Sequence, residues 1–265
     1  MKTIRLVAWN TLHGFAAKKV FYLFLFLIVI IAALQWQKVY NIFYAYANLQ
    51  LFIEQVWLLS GTLGWWYFLT AITAIIFASG VLPKEQQDKS IAGVLAKPIS
   101  RWTFVLGKWS GVLLFFCTIF VIGAGFILTA MIYWQFPILG FFYIGLLHYL
   151  LLLVTFTTLS YMLSIVLPRI LAGGLAFSLF YFHTYFLRFA DGEGALRQLI
   201  VSALYYVTPV HLNIYPLWEG SLQDSLHLSV PFLWATIGIN GCYGALLLLF
   251  AVILYQKKDI AVGQP

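Results

Sequence analysis

From Trp109 to Pro168 the chain runs for sixty residues without a charged side chain. A charge at the centre of a bilayer costs about 2.5–3.5 kcal/mol on insertion scales, so charge-free stretches mark where a chain can cross lipid. As one helix this stretch would be about 90 Å long, three times a hydrocarbon core of about 30 Å. It is therefore read as a hairpin of two spans, near 107–133 and 138–166. The break falls at Trp134-Gln135-Phe136-Pro137, where aromatic rings and a proline suit the membrane interface.

Four more spans follow from the same rule. Lys19 and Lys38 enclose 18 uncharged residues (span near 20–37), and Gln55–Pro83 gives 29, holding a span near 57–82 that Pro83 is expected to stop. Ile170–Leu187 gives 18 and Ser225–Gln256 gives 32, with the last span near 230–255. The expected fold is thus all-α, a single polytopic membrane domain of six transmembrane helices over 1–265. With 63% hydrophobic and 9% charged residues, no soluble fold has interior enough for so much apolar surface. Gln198–Trp218 is a further uncharged interval that could be read as a seventh crossing, but Pro209, Asn213 and Pro216 would leave backbone groups unsatisfied in lipid. It is read as part of an outer segment, 188–229, lying at or dipping into the interface.

Charge placement sets the orientation. Six spans with an inside N-terminus put 12 of the 15 Lys and Arg on the cytoplasmic side, leaving Lys38, Arg188 and Arg197 outside with five of the eight acids. Both termini are then cytoplasmic, and the net charge of +7 reflects retention at that face, with no nucleic acid implied. Residues 1–19 read as an amphipathic helix on the inner leaflet, with Ile4, Val7, Ala8, Thr11, Leu12 and Phe15 opposite Arg5 and His13.

Familiar reaction chemistry is missing from the sequence. There is no phosphate-cradling Gly-x4-Gly-Lys-Ser/Thr, no Gly-x-Ser-x-Gly and no His-Glu-x-x-His. None of the eight acids falls within a span, which argues against carboxylate catalysis or proton relay in the membrane. No catalytic residue, cofactor or metal ligand is assigned, and Cys117 and Cys242 lie in apolar stretches. His148 and His183 are read as neutral histidines bonded within the bundle. Gly107 and Gly111 form a Gly-x-x-x-Gly that permits close helix approach, and Asn240 stands among Gly238, Gly241 and Gly244. Gly107, Gly111, His183 and Asn240 are accordingly expected in helix packing or along a pathway.

The connector between the second and third spans, Pro83–Trp102, is the informative segment. Lys84-Glu85-Gln86-Gln87-Asp88-Lys89 is followed by Ser90, a good N-cap, then by a short apolar helix closed at Lys97-Pro98, and Ser100 can cap the next helix. An apolar stripe of Ile91, Val94 and Leu95 beside charges of both signs suits docking into a groove of a soluble partner.

At this connector the chain resembles the permease subunits of ABC transporters of the type-2 exporter (ABC-2) family. These carry a short coupling helix there, with a pattern similar to acidic-x-x-Gly-Thr-x-x-x-Leu-Leu-x-Lys-Pro-Ile-Ser-Arg. Here it reads Glu85 through Ser90, then Leu95-Ala96-Lys97-Pro98-Ile99-Ser100-Arg101 and Leu106-Gly107-Lys108, with Lys89-Ser90 in place of Gly-Thr and Gly93 where a larger apolar residue is common. The amphipathic N-terminal helix, the six-span layout and the ending Tyr255-Gln256-Lys257-Lys258-Asp259-Ile260 also agree. Within the family the chain looks closest to the branch of permeases associated with multi-copper enzyme maturation. With three Met, two Cys and no ligand spacing it offers no path for copper.

The resemblance implies alternating access driven by ATP-binding subunits on separate chains, in two copies. It implies a pathway between this protomer and a second permease protomer (itself or a homologue), in a bacterial cytoplasmic (inner) membrane. Glu85, Asp88, Lys89, Ile91, Leu95, Lys97 and Arg101 are the expected ATPase-coupling face. The aromatic, charge-free spans suit a lipidic or amphiphilic cargo and equally an interface belt in membrane lipids. Two rival readings are a membrane-embedded lipid-modifying enzyme using His211, Asp224 and His227, and a non-transporting membrane anchor for an ATPase.

Overall fold

The computed structural model describes residues 2–16, 22, 26, 30, 51–87, 100–133, 140–190 and 230–257. The described residues form six helices and no strand: α1 Lys2–Ala16, α2 Leu51–Gln87, α3 Arg101–Tyr133, α4 Gly140–Val166, α5 Arg169–Ala190 and α6 Val230–Lys257. The sixty-residue uncharged stretch is divided between α3 and α4, and the expected break at 134–137 lies outside the described residues. Of the expected first span only Tyr22, Phe26 and Ile30 are described, each helical and exposed.

Among the described residues four helices are long and apolar enough to cross a membrane, over Leu63–Pro83, Arg101–Thr129, Gly145–Val166 and Ile237–Lys257, and α5 carries an apolar stretch over Arg169–Phe182. One local expectation is corrected. Pro83 does not end the helix: α2 continues through it to Gln87, while its membrane-length apolar stretch is Leu63–Pro83. Proline removes only its own i→i−4 hydrogen bond and crowds one carbonyl. Here the preceding turns are fixed from outside, with Ala78 and Leu82 fully buried against neighbouring helices, so helical geometry persists across the defect.

In the bundle α4 is central: α5, α2, α3 and α6 stand round it in that order, while α1 packs on α3. The α4–α5 turn is two residues, Leu167 and Pro168. The Leu167 N–H still donates to Leu163 at 2.8 Å, and the Ala172 N–H already donates to the Pro168 carbonyl at 2.9 Å, so one helix closes as the next opens. Side-chain bonds set the registers. Ser160 Oγ donates to the Ile75 carbonyl of α2 at 2.8 Å, Tyr161 Oη to the Val105 carbonyl of α3 at 2.9 Å, and Trp109 Nε1 to Thr158 Oγ1 at 2.9 Å. In lipid, where apolar surface gives no preference for another helix over a tail, such bonds and close packing hold helices together. Gly123 shows the packing: a Cβ there would stand 2.0 Å from Trp66 Cε2, and the indole Nε1 donates to the Phe120 carbonyl one turn earlier at 3.1 Å.

Candidate functional site: the connector end of the bundle

The contacts bring one end of every helix from α2 to α6 together. Val105 of α3 meets Tyr161 late in α4, Gly80 late in α2 meets Arg169 at the start of α5, and Arg101 at the start of α3 meets Gln256 late in α6. This end therefore holds both ends of the Pro83–Trp102 connector. Arg101, Lys108, Arg169 and Lys257 are carried on the helix segments of this end.

α3 opens as its sequence predicts. The Ser100 carbonyl accepts the Phe104 N–H at 3.2 Å as the first i→i−4 bond of the helix, which puts Ser100 at the N-cap position, and the Ser100 and Thr103 hydroxyls pair across the first turn. The Arg101 guanidinium then reaches across to α6, donating from Nη1 to the Gln256 carbonyl at 3.3 Å. That carbonyl lies in the last described turn of α6, toward the negative end of the helix dipole, where a cation is favoured. Beneath this contact the Phe104 and Tyr255 rings lie 6.3 Å apart with Tyr255 fully buried, and Lys108 Nζ sits 5.7 Å over the Phe104 ring.

On the other side of α3 lies α1. A Cβ on Gly107 would be 2.6 Å from Val7 Cβ, and one on Gly111 would be 2.7 Å from the Ala8 carbonyl oxygen. The two glycines thus form a groove that admits the backbone of α1. Val7, Ala8, Thr11 and Phe15 are buried in this contact, with the Phe15 ring 5.4 Å from Phe77 and 5.5 Å from Phe115. Most of the apolar stripe read from residues 1–19 is consequently spent on protein. Leu6 and Trp9 stay exposed beside Arg5 and His13.

Glu85 is in the last turns of α2, and Asp88, Lys89, Ile91, Leu95 and Lys97 lie outside the described residues. Asn240 is buried on the α6 stripe that also carries Gly244, whose missing Cβ would be 3.6 Å from Thr155 Oγ1 of α4. His148 is buried in α4 with its ring 6.1 Å from Tyr149, and His183 is in α5, its side chain outside the described residues. His211, Asp224 and His227, on which the enzymatic alternative depends, also lie outside them. Among the described residues no group of three or more His, Cys, Asp or Glu is arranged to hold a metal ion.

Sequence reasoning passed over Gly80, Arg169 and Gln256. A lone glycine three residues before the proline that ends a charge-free stretch was the available signal for Gly80. Nothing local marks Gln256, because it contributes a backbone carbonyl.

A helical bundle with four membrane-length apolar helices among those described is an integral membrane protein. The family model described as ABC-2 family transporter protein matches residues 6–260. The chain belongs to the ABC-2 transporter family, as a membrane component whose partner in general is an ATP-binding ABC subunit. A search of curated proteins finds no match.

Proposed function

We propose that this chain is the permease subunit of an ABC exporter, with six spans, both termini in the cytoplasm, and a substrate pathway formed with a second permease protomer. ATP is hydrolysed on separate chains, one docked against each protomer. The connector-bearing end faces the cytoplasm, which agrees with Arg101, Lys108, Arg169 and Lys257 being carried on its helix segments. The membrane is the bacterial cytoplasmic membrane, and α1 runs along its inner boundary with Leu6 and Trp9 toward the headgroups.

The observation that carries this reading is the family match over nearly the whole chain, joined to a connector whose residues mix an apolar stripe with charges of both signs. Glu85, Asp88, Lys89, Ile91, Leu95 and Lys97 form the coupling face, inserted in a groove of the ATPase, with Arg101 at its α3 end. Nucleotide-driven closure of the two ATPase subunits then displaces the connectors and switches the pathway between inward and outward access.

The test is co-purification of the chain with its ATPase, followed by charge reversal with Glu85→Lys and Asp88→Lys together. The expected result is an intact, membrane-inserted permease that no longer retains the ATPase or stimulates its hydrolysis. Unchanged retention and stimulation would refute the coupling assignment, and external labelling of a cysteine placed in the connector of intact cells would refute the topology.

A further inference from the structure

The connector is gripped at both ends, and by different helices. At its α2 end, Gly80 provides a notch for Arg169: a Cβ there would meet Arg169 Nε at 2.8 Å, Cζ at 3.1 Å and Cδ at 3.3 Å, so the side chain lies across the glycine. One residue earlier Ser79 approaches α5 in turn, its Oγ 3.0 Å from where a Cβ on Gly173 would be. At the α3 end Arg101 donates to the Gln256 carbonyl of α6, with Phe104 stacked toward Tyr255 below. An arginine at a membrane edge is ordinarily a solvated or headgroup-bound cation. Arg101 and Arg169 also reach helices distant in the chain: Arg101 bonds to a backbone carbonyl toward the negative end of α6, and Arg169, itself exposed, lies across a glycine notch.

We propose that Arg101 and Arg169 are transmission points, Arg101 tying the start of α3 to the last turn of α6 and Arg169 tying α2 to the start of α5, so that displacement of the connector carries α6 and α5 with it. The inference rests on the permease reading above and changes the part given to Arg101, from a contact of the ATPase to a positioning residue within the permease. Packed helices transmit such displacements because their interfaces are close-packed and resist compression. The connector then has two outputs rather than one. Its α3 end drives α6 and its α2 end drives α5, the two helices that border residues 191–229 in the chain.

Spin-label distances in the full complex with its ATPase test this, with labelled chain diluted by unlabelled chain so that only pairs within one protomer contribute. In a Cys117→Ser background, Leu147→Cys on α4 is paired with native Cys242 to report α6. Paired with Ser178→Cys in Cys242→Ser, it reports α5. All three label positions are exposed. Distances are compared without nucleotide and with ATP and vanadate. Arg101→Ala should lose the nucleotide-dependent shift of α6 and keep that of α5, Arg169→Ala should do the reverse, and both should retain the ATPase.

Shifts that survive in both variants would overturn the proposal while leaving the permease reading intact. So would simultaneous loss of both shifts in each variant, which marks general damage to the bundle. Loss of ATPase binding in Arg101→Ala would return that residue to the docking face. A wild-type chain that binds no ATPase would instead sink the permease reading, and this inference with it.

Discussion

α4 and α6 are hard to tell apart by hydrophobicity, yet the bundle uses them in opposite ways. In the membrane-length stretch of α4, 61% is buried within the protein, whereas in that of α6 the figure is 17%. α4 buries Thr155, Thr157, Thr158, Ser160, Tyr161 and Ser164 and bonds to α2 and α3. α6 contributes one narrow stripe, Asn240, Gly244, Leu247, Ala251 and Tyr255, and turns Ile239, Leu246, Leu249, Phe250 and Ile253 outward. In water the more apolar face of a helix is the inner one. In lipid both faces are apolar, and the inner face is distinguished by small and hydroxylated residues.

The widest separation should come from matched aromatic truncations. Phe156→Ala, in α4, removes a ring that is fully buried and edge-on to Phe180 at 5.3 Å. It should cost about 3 kcal/mol by leaving a cavity. Phe250→Ala, on the outward face of α6, should change stability by less than about 0.5 kcal/mol because lipid refills the space. Unfolding of the two variants in the same bilayer-mimetic medium checks this, and equal losses would break the contrast.

The same contrast should appear within a single helix. Gly123→Ala places a methyl against the Trp66 ring and should cost about 1–3 kcal/mol through overpacking. Gly125→Ala, with nothing within 4 Å of its new Cβ, should be neutral or stabilise the helix by up to about 1 kcal/mol. Thermal unfolding in detergent separates the two.

A smaller effect sharpens what the polar residues of α4 contribute. Tyr161→Phe keeps the buried ring and loses the bond to the Val105 carbonyl. The expected loss is about 0.6 kcal/mol, the usual scale for an interhelical hydrogen bond in a membrane protein. A loss of several kcal/mol would mean that this bond, rather than ring packing, holds α3 to α4.

Much of this architecture was legible in the residues. Charges bracketed the spans because each one is costly in lipid, and Ser100 signalled the start of α3 through its capping chemistry. The Pro83–Trp102 connector drew attention through its mixture of charge and apolar spacing. Gly107 and Gly111 announced a close approach, but not that α1 makes it, since a glycine pair has no side chain to name its partner. Pro83 misled because its local cost was weighed without the packing of Ala78 and Leu82 that holds the helix through it. Arg101 was grouped with the coupling face by its place in the connector, and only coordinates could show its guanidinium at Gln256.

By itself, then, the sequence determined that this protein lives in a membrane, that its sixty-residue charge-free stretch holds two helices, and, through the residues around Lys97-Pro98-Ile99-Ser100-Arg101, to which family it belongs. The tertiary structure alone decided that α4 is central and α6 peripheral, that α1 lies in the groove of Gly107 and Gly111, that Arg101 bonds to Gln256 and that Arg169 lies across Gly80. The physical reason is that crossing lipid is a cost each residue incurs singly, readable along a line. Which helix touches which depends on carbonyls, notches and small side chains that acquire meaning only when a distant part of the chain is beside them.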